Sequence, residues 1–299
     1  MKITVTGSLG NISRILIEKL VSKGHEVKVI SSNPARAKEI EQRNAIALIG
    51  SIEDYGFVKS AFEHSDAVYL MIPPNFKSPD PKQSIKKAGD LYAKAIQQTG
   101  VEFAVNLSSL GSHLENGLGP TSANFCVEQK LNGLQNVNVL HLRPAMFMTN
   151  FYGSIPLIKA HNMLGSNFDG TVIIPLSHPK DIADAAFKAL DHLSISGKQI
   201  QYIVGDEKSG FEIAQILGNA ISNHDVKWTT FSDEQLLSAL VRDGIPEQIA
   251  KVYIVEIGSA LQNGHIMEDY QLNKDQSKGG TTFQDFSTEF AMAYQMQKQ

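Results

Sequence analysis

Short, uniformly apolar runs return through the first half of this chain, each followed by a stretch of helical periodicity, and this alternation narrows the fold more than any single residue does. "KITVTG" leads into a mostly apolar helical face, Ile12, Ile15, Leu16, Lys19 and Leu20, that Gly24 stops. "EVKVISS" is followed by "NPARAKEIEQR", where Asn33 can cap a helix whose first residue, Pro34, needs no hydrogen-bonded amide. The rhythm continues through "AIALIG", the helix "EDYGFVKSAFEHS", the strand "DAVYLMIPP", a helix around Gly89 to Thr99, and the strand "FAVNLSS". Strands this apolar are covered on both faces, so the spacing predicts an α/β fold with a parallel sheet and helices above and below it. A sixth strand, "VNVLHLRP", follows a helix around Cys126 to Leu134.

From about Phe147 the spacing becomes irregular and a second region begins. "TVIIPLSHPKDIADAAFKAL" reads as strand, turn and helix, with Asp181 near the helix start, where a negative charge is favourable. "QIQYIVG" supplies a strand near 199–205 that returns to the sheet, and the remainder from about Asp206 reads as largely helical. The expected division is therefore a domain over 1–150, with that returning strand, and a smaller lobe over 151–299. With 299 residues, 42% of them hydrophobic, the chain can bury a real core.

Composition removes several function classes. A net charge of -4, from 27 basic and 31 acidic residues spread along the chain, leaves no basic stripe for nucleic acid and no polybasic membrane patch. One cysteine, Cys126, excludes an intramolecular disulfide and a cysteine-rich zinc site, which suits a reducing cytoplasm. Met1 to Val5 is already strand-like, and no run of about 18 apolar residues occurs, so neither secretion nor membrane spanning is expected. The nine histidines do not fall at metal-ligand spacing with carboxylates, so no metal is expected.

The chemistry is carried by "VTGSLGNIS". Gly7 permits a tight turn out of the strand, and Gly10 lets phosphate oxygens approach bare backbone at a helix N-terminus, where amide donors and the helix dipole favour an anion. Ser13 stands where a third glycine would allow the closest packing of helix on strand. An NAD-selective site places an acid at the end of the second strand, about 20 residues on. Here that position reads Ser31, Ser32, Asn33, and Arg36 and Lys38 lie nearby, so NADP(H) is the expected cofactor and NAD(H) the alternative. The two cations also fit a plain solvated surface.

After the third strand, Ser51 and Ile52 stand where an adenine could rest. After the fourth, the stiff turn Ile72, Pro73, Pro74 would shape a wall of the cleft, at the strand edge where open α/β sheets bind ligands, though a proline pair also makes an ordinary rigid loop. The fifth strand ends in Ser108 and Ser109, close to the expected nicotinamide; serines there also cap helices or satisfy turns. His113 follows in the loop that should border the cleft and is a candidate substrate contact, while His141 within "VLHLRP" reads as a hydrogen-bonded core residue.

The series "VTGSLGNIS", "DAVYLMIPPN", "FAVNLSSLGS", "NFCVEQKL", "LRPAMFMTNF" and "PLSHPKDIADAAFKAL" resembles, in that order and nearly end to end, the NmrA-like branch of the atypical short-chain dehydrogenases. That family of NAD(P)-binding proteins includes quinone reductases and redox-sensing regulators. The resemblance implies a Rossmann-type doubly wound sheet with a smaller, mostly helical C-terminal substrate lobe. It also implies that Gly7, Ser8, Leu9, Gly10, Asn11 and Ile12 hold the pyrophosphate, that Arg36 meets a 2'-phosphate, and that Pro144, Phe147 and Asn150 reach the nicotinamide and substrate cleft.

One departure bears on the chemistry. Short-chain dehydrogenases generally use a Tyr-x-x-x-Lys pair to exchange a proton with substrate oxygen, and in the expected helix that spacing reads Cys126 to Lys130. Cys126 reads as a buried structural thiol. "YGFVK", Tyr55 to Lys59, matches literally but falls on the adenine side. Asn124 stands where some relatives carry a lysine or histidine, and it can hydrogen-bond but not act as a general base. No catalytic acid or base is assigned. The leading expectation is an NAD(P)H-dependent reductase of a small quinone-like or carbonyl acceptor, protonated by water in an open cleft. A non-catalytic NADP(H) sensor that signals to a protein partner is the rival reading, and a nucleotide-sugar epimerase or dehydratase trails both, since it relies on the same missing tyrosine. The apolar face of "KVYIVEIGSALQ" could belong to core, pocket or a homodimer.

Overall fold

The structure is a computed structural model that describes residues 1–116 and 119–297. Six strands, β1 (Lys2–Val5), β2 (Glu26–Ser31), β3 (Ile46–Ile49), β4 (Ala67–Leu70), β5 (Phe103–Leu107) and β6 (Asn138–Pro144), alternate with α1 (Asn11–Ser22), α2 (Ala37–Glu41), α3 (Tyr55–Phe62), α4 (Pro81–Thr99) and α5 (Thr121–Asn132). The chain then forms β7 (Met146–Phe147), α6 (Ile155–His161), β8 (Met163–Ser166) and β9 (Ile173–Ser177) before α7 (Pro179–His192) and β10 (Lys198–Ile203) bring it back to the sheet. The seven-stranded sheet has the order β10-β6-β5-β4-β1-β2-β3, with every neighbouring pair parallel. This is the Rossmann-type doubly wound arrangement, whose strand order reverses between β1 and β4.

Helix faces close both sides of the sheet. On one side Leu16 and Leu20 of α1 and Ile182, Ala186 and Leu190 of α7 cover Ile3, Val5 and Val29. On the other, Val58 and Phe62 of α3, Tyr92 and Ile96 of α4, and Val127 and Leu131 of α5 cover Val68 and Leu70. After α1, Gly24 at φ +81 reverses the chain, with its N–H donating to the Val21 carbonyl (2.9 Å) and that of His25 to Leu20 (3.2 Å). Helix α4 starts well before Gly89, because the Asp80 carboxylate accepts from the Gln83 amide and Pro81 takes the first helical position.

The C-terminal region contains α8 (Gly210–Ala220), α9 (Asp233–Arg242), α10 (Glu247–Ala250), α11 (Glu256–Gln262), α12 (Glu268–Leu272) and α13 (Phe283–Met296). It also holds β11 (Asp206–Ser209) and β12 (Lys227–Thr230), so the reading of everything beyond Asp206 as largely helical omits two short strands. They complete small sheets, β11-β9-β7 and β12-β8, beside a core into which α13 drives Phe283, Phe286 and Phe290. Asp181 does more than favour its helix dipole. Its carboxylate accepts from the Gly280 amide (3.0 Å), the Thr281 amide (2.9 Å) and the Thr281 hydroxyl (2.9 Å), and so straps the approach to α13 against α7. Among the described residues no helix is long and apolar enough to cross a membrane.

Gly89 lets α4 and α5 approach closely, since a Cβ there would lie 2.6 Å from Cγ2 of Val127. Helix propensity alone favours alanine over glycine by about 1 kcal/mol, but overpacking against a stiff β-branched side chain costs about 1–3 kcal/mol. Gly89→Ala should therefore lower the urea midpoint in the native background and raise it in a Val127→Ala background. A stabilising effect in both would show that the two helices have room to spare.

Candidate functional site

The turn after β1 lies at the point of strand-order reversal, and its geometry follows from four side chains. Thr6 locks β1 to the end of β4: its N–H donates to the Tyr69 carbonyl (3.0 Å), while its hydroxyl donates to the Met71 carbonyl (2.9 Å) and accepts from the Met71 amide (2.6 Å). Gly7 then turns at φ +90, and a Cβ there would meet the Ser13 hydroxyl at 2.9 Å. Ser13 is buried and donates to the Thr6 carbonyl (3.2 Å), so a serine serves at the third small position by bonding back to the strand it packs on. Ser8, at φ +53, donates its amide to the Ile30 carbonyl (3.1 Å) and its hydroxyl to Ser31 (2.9 Å), tying the turn to β2.

Helix α1 begins from Gly10 with no side-chain cap and no acid in its first turn. Its leading amides and the positive end of its dipole thus form a cradle for an anion. The side chains of Leu9 and Ile12 are buried in the core, so within the predicted Gly7 to Ile12 segment these two can offer a ligand only backbone. Asn11 is exposed. The bare turn, a glycine whose Cβ would collide and an uncapped helix start together fit a dinucleotide pyrophosphate.

The neighbouring candidates lie along the same sheet edge. Ser31 is buried and its oxygen accepts from the Asn33 amide (3.2 Å); Ser32 and Asn33 are exposed, and the Asn33 side chain accepts from the Ala35 amide (3.0 Å). Arg36 ends the 3-10 turn Pro34–Arg36, partly exposed, with the Glu39 carboxylate 3.6 Å away. Beyond β3, the Gly50 amide donates to the Ser31 carbonyl (3.0 Å), which places exposed Ser51 and half-buried Ile52 beside β2. Ile72 is half-buried and Pro73 and Pro74 are exposed, directly after the Met71 clamp. Hydrogen bonds thus gather the glycine turn, Ser31, the Gly50–Ser51 corner and the Met71–Pro74 turn. Pro144 is buried at the end of β6, where its carbonyl accepts from the Leu110 amide (2.8 Å), and Ser109 is half-buried nearby in sequence. Phe147 is half-buried in β7 opposite Ser177, whereas Asn150 lies exposed on the turn Met148–Ser154.

The structure adds an ionic cluster that was not foreseen. Arg143, buried in β6, donates from Nε to Glu128 Oε1 (3.0 Å), from Nη2 to Glu128 Oε2 (2.6 Å) and the Ser112 carbonyl (3.2 Å), and from Nη1 to the Tyr202 hydroxyl (3.0 Å) and Asp269 Oδ2 (2.8 Å). Tyr202 also donates to Asp269. Burial works against the arginine charge, but the hydrogen bonds and attraction of Glu128 outweigh it and push the guanidinium pKa up. Burial, and then the hydrogen bond to Asp269, push the Tyr202 hydroxyl up as well. Ser108, expected near the nicotinamide, is buried and gives its hydroxyl to Glu128 Oε1 (2.5 Å), so it anchors this cluster. The sequence signal was an arginine inside the apolar strand "VLHLRP" and an acid on the buried side of α5.

Cys126 is half-buried rather than buried, because α5 turns Ala123, Val127 and Leu131 to the core. Lys130 is paired with Asp90 at 3.2 Å on the surface. Both ring nitrogens of His113 are buried without a hydrogen-bond partner among the described residues, and desolvation lowers its pKa, outweighing the attraction of Asp269, which raises it. His141 is bonded through both nitrogens, to Asn106 (3.1 Å) and Asn132 (3.0 Å), and burial lowers its pKa to about 4. Among the described residues no group of three or more His, Cys, Asp or Glu side chains is placed to hold a metal ion.

Comparisons with known proteins agree with this architecture. The family model described as NmrA-like family matches residues 1–274. The NADPH-dependent quinone oxidoreductase from Escherichia coli, solved in complex with NADPH, superposes with a TM-score of 0.78 at 20% identity over 96% of this chain and 99% of that one. Triphenylmethane reductase from Citrobacter sp., complexed with NADP(H), gives 0.81 at 19% identity over 97% and 99% of the two chains. UDP-glucose 4-epimerase from Bifidobacterium longum, bound to NAD+ and UDP, gives 0.69 at 13% identity over 100% and 99%. A search of curated proteins finds no match.

Two measurements probe the buried charges. Arg143→Met should cost about 3–5 kcal/mol in urea unfolding, because it strands Glu128 without its partner; adding Glu128→Leu should restore most of the loss, and an equal deficit in the double variant would mean that the pair is not the cause. For His141, an unfolded imidazole protonates near 6.5 and the folded one near 4, so between those values the unfolded chain binds more protons. Its contribution is fully present above pH 6.5 and falls by up to about 3 kcal/mol as pH drops to 4. His141→Gln should flatten that window of the stability profile, and an unchanged slope would refute the assignment.

Proposed function

The chain belongs to the NmrA-like family, and from that premise we propose that it is an NADP(H)-dependent oxidoreductase acting on a small quinone-like or carbonyl acceptor. The observation that carries this reading is the uncapped α1 start behind Gly7 and Gly10, joined through the Ser8–Ser31 hydrogen bond to a β2 terminus without an acid. The amides of Asn11 and Ile12, at the uncapped helix start, bind the pyrophosphate, while that of Gly10 closes the turn on the Gly7 carbonyl (3.2 Å). Ser31 and Ser32 leave room for a 2'-phosphate, and Arg36, whose carboxylate neighbour is 3.6 Å away, supplies the charge that recognises it. Quinone oxidoreductase and triphenylmethane reductase of this fold, one solved with NADPH and the other with NADP(H), support that preference. The Met71–Pro74 turn and the ends of β5 and β6 border the nicotinamide half of the cleft.

When bound, the coenzyme supplies the hydride. The chain's own part is to hold it at the sheet edge, and Ser108, committed to Glu128, keeps the end of β5 fixed while donating nothing to an acceptor. The acceptor oxygen then takes its proton from solvent. The position usually held by a catalytic tyrosine is Cys126, which also supports a second reading, an NADP(H) sensor without turnover.

Mixing the protein with NADPH and a panel of quinones should consume the reduced coenzyme, read by its absorbance; tight coenzyme binding with no turnover would favour the sensor. Arg36→Ala should weaken NADPH about ten- to a hundredfold, the worth of a charge-assisted contact, and leave NADH affinity nearly unchanged. Equal losses for both coenzymes would remove the 2'-phosphate argument.

A further inference from the structure

The loop that leaves β4 passes through Ile72, Pro73 and Pro74 and then presents Phe76, which is 58% exposed. Opposite it stands Tyr253, with ring centroids 6.2 Å apart and planes at 63°, an edge-to-face pair. Tyr253 sits on a π-helical turn, Lys251–Val255, inserted between α10 and α11. Such turns are rare and occur frequently at functional sites. The position is fixed from both sides by Glu256, which accepts from Lys82 Nζ at the start of α4 (2.7 Å) and from the Gly119 amide (3.2 Å).

The Tyr253 hydroxyl is buried and has no hydrogen-bond partner among the described residues. An unmet hydroxyl is costly, and natural structures keep few of them without a reason. Burial pushes its pKa up, so the phenol stays protonated and keeps an O–H donor to offer. Phe76 offers an exposed ring, and the aromatic partner it meets edge to face carries an unspent hydroxyl, a combination that matches a flat conjugated molecule that carries an oxygen.

We propose that Phe76 and Tyr253 form the acceptor-binding mouth of the protein, in which a planar quinone stacks against Phe76 and its carbonyl oxygen accepts a hydrogen bond from the Tyr253 hydroxyl. The ligand class rests on the reductase reading given above; the site rests on the aromatic pair and the unpaired hydroxyl.

The test is calorimetric titration of menadione into the full chain saturated with NADP+, for the native protein, Phe76→Ala and Tyr253→Phe. Each substitution should weaken menadione by about tenfold, the usual worth of one aromatic contact or one hydrogen bond, with NADPH affinity unchanged. Tyr253→Phe should keep or raise the melting temperature, since it deletes an unpaired buried oxygen, whereas a merely structural role would lower it without touching menadione. Native-like menadione binding in both variants, or no binding to the native protein, would overturn the proposal. If native protein binds menadione and the variants lose it, yet NADPH is never oxidised, the site stands and the reductase reading falls. If NADPH is oxidised with the same KM for menadione in all three proteins, the reading stands and the site falls.

Discussion

A guanidinium buried at the carboxyl end of a central strand has to find partners for five N–H groups and a countercharge, and Arg143 finds them on four other segments. Glu128 belongs to α5, Ser112 to the loop after β5, Tyr202 to β10 and Asp269 to α12. Because the arginine fork is planar and its donors diverge at fixed angles, these segments can satisfy it in few relative placements. The end of β6, the loop after β5, α5, β10 and α12 are therefore tied together at one residue. A well-packed apolar substitute could match the stability, but it would not fix Ser108, whose hydroxyl shares the same carboxylate.

What the chain displays locally was readable. Apolar runs of strand length, Gly24 beyond α1, the Asn33 cap and the glycine turn are each decided by neighbours within a few positions, and the doubly wound sheet follows from their repetition. The start of α4 is equally local, since Asp80 and Pro81 mark it, although the apolar periodicity is stronger further on, near Gly89. Other features depend on distant partners. Arg143 and Asp269 are 126 positions apart, and Asp181 and Thr281 are 100 apart, so neither pairing has a periodic signature. Strands β11 and β12 are short, and their ladders run to β9 and β8 rather than to a sequence neighbour. A strand held by a remote edge carries little of its own signal.

The candidate site divides along the same line. Its phosphate-binding half is backbone, so glycines and the absence of a capping side chain announce it. The acceptor half proposed above draws on a loop from the sheet and on the C-terminal helices, through side chains whose apolar sequence pattern reads as core. Ser108 illustrates the risk of reading position as role: it stands at the end of the expected strand, but its hydroxyl is directed into the ionic cluster. Tyr253 is the reverse case, since "KVYIVEIGSALQ" looks like an apolar helix and only the inserted π turn sets that tyrosine against Phe76.

The missing Tyr-x-x-x-Lys pair then bears on which acceptors such a site can serve. Lys130 is on the surface in contact with Asp90, and Cys126 has no phenol to offer, so α5 brings no general acid to the cleft. A simple ketone or aldehyde reduced by hydride would leave a strongly basic alkoxide, which needs a proton in the same step. A quinone leaves a phenolate whose charge is spread over a ring, and solvent can protonate it afterwards. With proton transfer removed from the demands on the protein, what remains is to hold two flat molecules face to face, and that is work for aromatic surface and backbone amides rather than for an acid or base.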